Sequence, residues 1–313
     1  MPVDPALVPL LDVLNSMPQM QPPYDPAAIR AADEQPMPIP KADVAEVRDV
    51  TLATDKGPAD MRLYHPKPGT VLPVLVFYHG GGWVGGTIGT HDALCRALAD
   101  AAEIAVISVA YPLSPEHRYP VALDLIHAAL SSIVAEAGSL GIDADRLAVG
   151  GDSAGGNLAA ALALAVRDRG GPTIRHQLLY YPVIDNDFTR TSYIENATGY
   201  MLTGHMMQWF WEQYLGDANA KADALAAPIK AETLAGLPPA TVFTAELDVL
   251  RDEGVAYAEA LQAAGVPVEH IAVPGVLHGF ASMLSMLPQA DQAVGSAARA
   301  LRKALNVEDT VAA

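Results

Sequence analysis

Residues 151–156 read Gly-Asp-Ser-Ala-Gly-Gly and set Ser153 at the centre of a Gly-x-Ser-x-Gly pentapeptide, directly after the run Arg-Leu-Ala-Val-Gly over 146–150. The pattern suits a serine nucleophile. A serine on a sharp strand-to-helix turn has strained backbone angles, and glycine on either side admits neighbouring backbone too close for a larger side chain. The small-residue, helix-favouring run from Ala154 onward would aim its first amides at the serine. Such a pentapeptide arises by chance in many chains, so its weight comes from the order strand, elbow, helix.

A hydroxyl needs a base to take its proton and donors to hold the oxyanion that forms on the substrate. His-Gly-Gly-Gly over 79–82 follows an apolar run ending at Tyr78, and three glycines let a loop turn its amides toward a bound carbonyl. The amide of Ala154, just after the serine, would complete the hole. Of the nine histidines, His278 lies in Pro-Gly-Val-Leu-His-Gly-Phe over 274–280, a loop position at the carboxyl edge of a sheet, and is the expected base. His270 falls within a strand and His127 within a helix, whereas His79 is expected to order its glycine loop by hydrogen bonding.

The acid that orients the base should follow the strand at 241–244, where Glu246, Asp248, Asp252 and Glu253 crowd together. Asp248 is the choice, with Glu246 next; Asp252 and Glu253 read as first-turn helix residues favoured by the helix dipole. Asp248 would hold the His278 ring in its useful tautomer. The order Ser153, Asp248, His278 is that of α/β-hydrolases and differs from the chymotrypsin and subtilisin orders.

The elements that must position these residues alternate between β-rich and amphipathic stretches, the pattern of a doubly wound sheet. Eight strands are expected at 47–53, 59–64, 72–78, 104–110, 146–149, 177–181, 241–244 and 268–273. The first two form an antiparallel hairpin around Lys56-Gly-Pro, and the runs at 72–78 and 104–110 suit strands buried on both faces. Helices are expected near 89–100, 119–136, 155–168, 252–265 and 287–305. Residues 1–45, rich in proline, and 185–225, holding Met201, Met206, Met207, Trp209, Phe210, Trp211 and Tyr214, break the alternation and are candidates for a cap. The core is then 46–184 followed by 226–313.

With 313 residues and 51% apolar composition, one large α/β domain is the expectation. No uninterrupted apolar run reaches membrane-spanning length. The opening Met-Pro-Val-Asp-Pro lacks the basic and apolar regions of a secretory leader, so a cytoplasmic location is expected. A net charge of −17 disfavours nucleic acid and anionic membrane surfaces as partners. The single Cys95 sits in a helical pattern and reads as a buried hydrophobe.

Together, His-Gly-Gly-Gly-Trp over 79–83, Tyr-Pro-Leu-Ser-Pro-Glu-His over 111–117, Gly-Asp-Ser-Ala-Gly-Gly over 151–156, Asp-Val-Leu-Arg-Asp-Glu-Gly over 248–254 and His-Gly-Phe over 278–280 resemble the bacterial hormone-sensitive lipase family of esterases. The likeness spans about 45–305. It implies an α/β-hydrolase core, a mostly parallel eight-stranded sheet flanked by helices, with a helical cap built from the two segments that break the alternation. It also places the oxyanion hole at Gly81, Gly82 and Ala154. Val249 stands where a proline commonly follows the acid, and Ser114 where alanine is usual.

The implied activity is hydrolysis of short- to medium-chain acyl esters through an acyl-enzyme, with a small-molecule ester as partner and no cofactor or metal. The alternatives are a lipase or amidase with the same triad, or a non-catalytic small-ligand receptor of the same fold. Binding proteins of this fold, such as plant gibberellin receptors, have lost the histidine that is present here as His278. The strand at 268–273 could form a sheet edge, where proteins similar to this one often form homodimers.

Overall fold

The apolar runs at 72–78 and 104–110 become neighbouring parallel strands inside the sheet, and side-chain alternation divides each between two cores. Val74, Val76 and Tyr78 face one core, whereas Leu75 and Phe77 face the other. The computed structural model describes residues 3–16, 22–33, 39–216 and 223–308; the parts of 1–45, 185–225 and 226–313 beyond these ranges lie outside the described residues.

In chain order the elements are α1 (Val8–Ser16), α2 (Pro26–Asp33), β1 (Glu46–Thr54), β2 (Gly57–His65), β3 (Leu72–Tyr78), α3 (Asp92–Ala102), β4 (Ala105–Ala110), α4 (Val121–Ala135) and α5 (Ala137–Leu140). They continue with β5 (Ile142–Asp152), α6 (Ala154–Arg169), β6 (His176–Tyr180), α7 (Thr191–Glu195), α8 (Gly204–Leu215), β7 (Ala240–Leu247), α9 (Arg251–Ala263), β8 (Val268–Leu277) and α10 (Pro288–Ala304). The eight strands form one sheet in the order β1-β2-β4-β3-β5-β6-β7-β8. Strand β2 runs antiparallel to β1 and β4, and all other pairs are parallel.

Helices α4, α6 and α9 cover one face and α3 and α10 the other. Each fully buried Leu, Val or Phe of these layers contributes about 1.5–3 kcal/mol relative to exposure. Strands β1, β2, β5, β7 and β8 outrun the expected bounds, β5 and β8 by four residues at one end. β5 begins at Ile142, four residues before the apolar run, because Asp143 and Asp145 mask it and a register shift against β3 admits it. β8 continues through Pro274-Gly275 to Leu277, past an irregularity in β7 between Ala245 and Leu247, and lies at a sheet edge.

The two segments that break the alternation meet: the rings of Tyr24 and Trp209 lie 5.5 Å apart. Arg30 on α2 donates to the Val84 and Ser114 carbonyls at 2.8 Å each and forks onto the Glu116 carboxylate. Those bonds hold Glu116 down at about 2, chiefly through the Arg30 hydrogen bonds. Among the described residues no helix is long and apolar enough to cross a membrane.

Candidate active site

Ser153 is the single residue between β5 and α6, with φ 54° and ψ −120°. A non-glycine residue held there costs on the order of 1–3 kcal/mol, so the surroundings must impose it. They do so through the backbone: the Ser153 amide donates to the Tyr180 carbonyl at 2.9 Å, and its carbonyl accepts the amides of Asn157 and Val183 at 3.0 and 3.1 Å. A Cβ on Gly151 would strike the Gly155 backbone, which explains the first glycine of the pentapeptide.

The Ser153 Oγ lies 2.9 Å from Nε2 of His278, and Nδ1 of that ring lies 2.7 Å from Oδ2 of Asp248. A carboxylate only accepts, so Nδ1 carries the hydrogen and Nε2 presents its lone pair to the hydroxyl. Asp248 follows β7, is buried, and has its other oxygen capped by the Leu250 amide at 2.9 Å. Val249 is fully buried in the core, so the missing proline leaves this turn intact.

The loop after β3 is fixed one peptide at a time. In the peptide joining His79 and Gly80, the carbonyl accepts the Tyr111 hydroxyl at 2.7 Å and the amide donates to Oδ1 of Asp152 at 2.8 Å. In the next peptide the Gly80 carbonyl accepts Nδ1–H of His79 at 2.8 Å. A trans peptide points its N–H opposite its C=O, so His79 also sets the direction of the Gly81 amide. Burial, reinforced by the neighbouring His91, brings His79 down to about 4, which keeps its ring neutral. Gly81 and Gly82 have φ of 118° and 61°, a region glycine adopts without strain. Among the described residues, neither these two amides nor that of Ala154, at the start of α6, donates to a protein acceptor.

Ser153, His278, Gly81 and Gly82 line one cavity of about 350 Å³. Its apolar wall comes from Met201, Leu202, Met206, Met207, Phe210 and Met283, most of them from α8 and the turn before it. The Phe210 ring packs so closely on Gly82 that a Cβ there would overlap it. Behind the wall, Trp83 stacks on Tyr214 at 4.1 Å.

Glu246, the second choice for the acid, instead accepts the Gly275 amide at 2.6 Å. His270 pairs with Thr244 within the sheet and His127 with the Gly170 carbonyl, both away from the cavity. Cys95 is buried in α3, where burial pushes its thiol up. Glu253 lies in the first turn of α9, as expected, with its side chain fully buried and accepting the amides of Ile184 and Asp185 at 2.8 and 3.3 Å. Beside it, the Ser192 amide donates to Asp252, the Ser192 hydroxyl to the Val249 carbonyl, and Asn196 Nδ2 to the Asp248 carbonyl. Asp152 and Tyr111 are the site residues whose roles spacing did not single out, whereas Phe210 belongs to the apolar run expected in the cap; the position of Asp152 beside the serine was the available signal for one of them. No group of three or more His, Cys, Asp or Glu among the described residues is placed to hold a metal ion.

A family model described as alpha/beta hydrolase fold matches residues 75–282. The chain belongs to this alpha/beta hydrolase family. The carboxylesterase NlhH of Mycobacterium tuberculosis is 44% identical over 239 residues, 75% of each chain. The ethyl acetate hydrolase of Pseudomonas putida is 39% identical over 273 residues, 85% of each. A thermostable esterase from Pseudomonas putida has a superposable structure, with TM-score 0.93 and 36% identity over 98% of this chain and 99% of that one. Within the alpha/beta hydrolases the chain is thus an esterase of hormone-sensitive lipase type.

Proposed function

We propose that the protein is a serine carboxylic-ester hydrolase that acts on short- to medium-chain acyl esters through an acyl-enzyme. The observation that carries this reading is the hydrogen-bonded line from Ser153 Oγ through His278 to Asp248, opening on a cavity bordered by Gly81 and Gly82. His278 takes the Ser153 proton as the oxygen attacks the ester carbonyl, and Asp248 stabilises the imidazolium. The amides of Gly81, Gly82 and Ala154 receive the oxyanion, and His278 returns the proton to the departing alcohol. Water, deprotonated by the same ring, then releases the acid and restores the serine.

A neutral acyl group matches the apolar wall, and the cavity of about 350 Å³ favours short chains. The ethyl acetate hydrolase among the relatives supports the same preference. Residues 1–45 and 185–225 act as a cap on a core made of 46–184 and 226–313, a division supported by the cavity wall that α8 supplies. The protein works in the cytoplasm, and two copies pair along the open edge of β8; a monomeric mass by light scattering would remove that pairing.

The test is hydrolysis of p-nitrophenyl acetate, butyrate, octanoate and laurate by wild type and Ser153→Ala, both confirmed folded. A fall of about 10⁴-fold or more in the variant, with the shorter esters preferred by wild type, is the expected result. Equal rates in the two proteins, or none in either, would refute the mechanism.

A further inference from the structure

Behind the glycine loop lies a second histidine–carboxylate pair that the acyl-transfer steps do not use. His91 immediately precedes α3, and its Nε2 lies 3.0 Å from Oδ1 of Asp152. That same oxygen accepts the Gly80 amide at 2.8 Å. Both side chains are buried, and both border the cavity that holds Ser153 and His278. The Gly80 amide lies 3.3 Å from Nε2 of His91 and nearer, at 2.8 Å, to Oδ1 of Asp152; since the carboxylate only accepts, the 3.0 Å contact puts a hydrogen on Nε2 and leaves Oδ1 as the acceptor of both donors.

The other face of the ring is anchored as firmly. His91 Nδ1 lies 2.8 Å from the Thr90 hydroxyl and 3.4 Å from the Thr87 carbonyl. Thr87 and Thr90 bond each other reciprocally: each hydroxyl accepts the other's amide, at 2.9 and 3.1 Å, and the Thr90 hydroxyl also reaches the Thr87 carbonyl. The ring is flanked by those of His79 and Phe77, at centroid separations of 5.7 and 6.4 Å. It therefore has little room to turn.

We infer that His91 is a positioning residue for the oxyanion hole: by donating to Asp152 it holds the carboxylate that fixes the Gly80 amide, and through that peptide the aim of the Gly81 and Gly82 amides. This rests on the esterase reading proposed above. A buried carboxylate with a donor removed must turn, admit water or take up a proton, and each alternative loosens its hold on the Gly80 amide. The fit is tight on the loop side too, because a Cβ on Gly80 would meet Oδ2 of Asp152 at 2.5 Å. The effect belongs to the transition state, since the amides matter most once the carbonyl oxygen gains charge.

The test compares wild type with His91→Leu and His91→Gln on p-nitrophenyl butyrate, with an alkyl trifluoromethyl ketone as the reversible oxyanion mimic. His91→Leu is expected to lower kcat by about 10- to 100-fold while KM stays within about threefold, and to weaken inhibition by the ketone in parallel. His91→Gln, which keeps an N–H donor of similar reach, is expected to recover most of both losses. Wild-type kcat in folded His91→Leu, a loss carried wholly by KM, or a Gln variant no better than Leu would overturn the role. Should His91→Leu fail to fold, Asp152→Asn carries the test, since it keeps the shape and removes the charge that both donors share; wild-type kcat and ketone affinity there would overturn it equally. Ser153→Ala separates the two claims. If it is inactive while His91→Leu runs at the wild-type rate, only the positioning role falls; if Ser153→Ala remains fully active, the esterase mechanism falls with it.

Discussion

Gly155, the second residue of α6, lies so close to Tyr78 at the end of β3 that a Cβ on it would overlap the Tyr78 carbonyl oxygen. It would also meet the His79 carbonyl oxygen, and both contacts are backbone, so neither can yield by changing a rotamer. Gly155→Ala is expected to cost about 3 kcal/mol or more, the upper end for overpacking, and to abolish ester turnover by moving Ser153. Urea unfolding and p-nitrophenyl butyrate hydrolysis would check both.

Phe210 closes the cavity against Gly82. Phe210→Ala should enlarge the acyl space and raise kcat/KM for octanoate relative to butyrate by about tenfold, in keeping with 1–3 kcal/mol for a methylene-scale change in a pocket. It should also cost about 3 kcal/mol of stability, because the ring is nearly all buried. An unchanged chain-length profile would remove Phe210 from the determinants of specificity.

Tyr111→Phe removes the hydroxyl that holds the His79 carbonyl. A buried carbonyl left without its donor costs about 1–3 kcal/mol. The expected outcome is a lower Tm and a kcat reduced by about fivefold, with KM unchanged, because the displaced peptide lies next to the one that presents the Gly81 amide. Thermal melts and steady-state kinetics measure these directly.

Stability should fall toward both ends of the pH range. Burial raises Glu253 from 4.5 to about 8, against the pull of the Ile184 and Asp185 amides. The folded chain thus keeps a proton that the unfolded chain releases, and stability present in full below 4.5 is lost as pH rises toward 8, at about 1.4 kcal/mol per pH unit in mid-window. His79 acts oppositely: burial lowers it from 6.5 to about 4, so its contribution is complete above 6.5 and lost as pH falls toward 4. Glu253→Gln retains an acceptor for the amides and should flatten the alkaline limb alone. Chemical denaturation from pH 5 to 9 tests this, and parallel curves for the two proteins would contradict it.

Strand positions were legible in the sequence because apolar periodicity reports burial, and the centre of the sheet is buried on both faces. Polar residues hid the start of β5, since Asp143 and Asp145 fall in the register shift between Ile142 and Leu147, without a core to face. The elbow and glycine loop were readable as local patterns whose geometry only glycine permits. The first-turn placement of Asp252 and Glu253 was legible in the sequence, but the inward turn of Glu253 toward the chain leaving β6 was not, because two acidic residues at a helix start look alike. The pairing of His91 with Asp152 joins the residue before α3 to the last residue of β5, and no spacing rule connects them.

The bonds from Glu253, Asp252, Val249 and Asp248 to residues 184–196 also bear on recombination between relatives. Segment 185–225 looks like a self-contained cassette when the chain is read linearly, yet its first turn is sewn to the stretch that carries the acid. A chimaera exchanging 185–225 alone would splice foreign side chains against Asp248. One exchanging 184–225 together with 246–253 would carry its own stitching, so the unit of inheritance for altered substrate range is this discontinuous pair of segments.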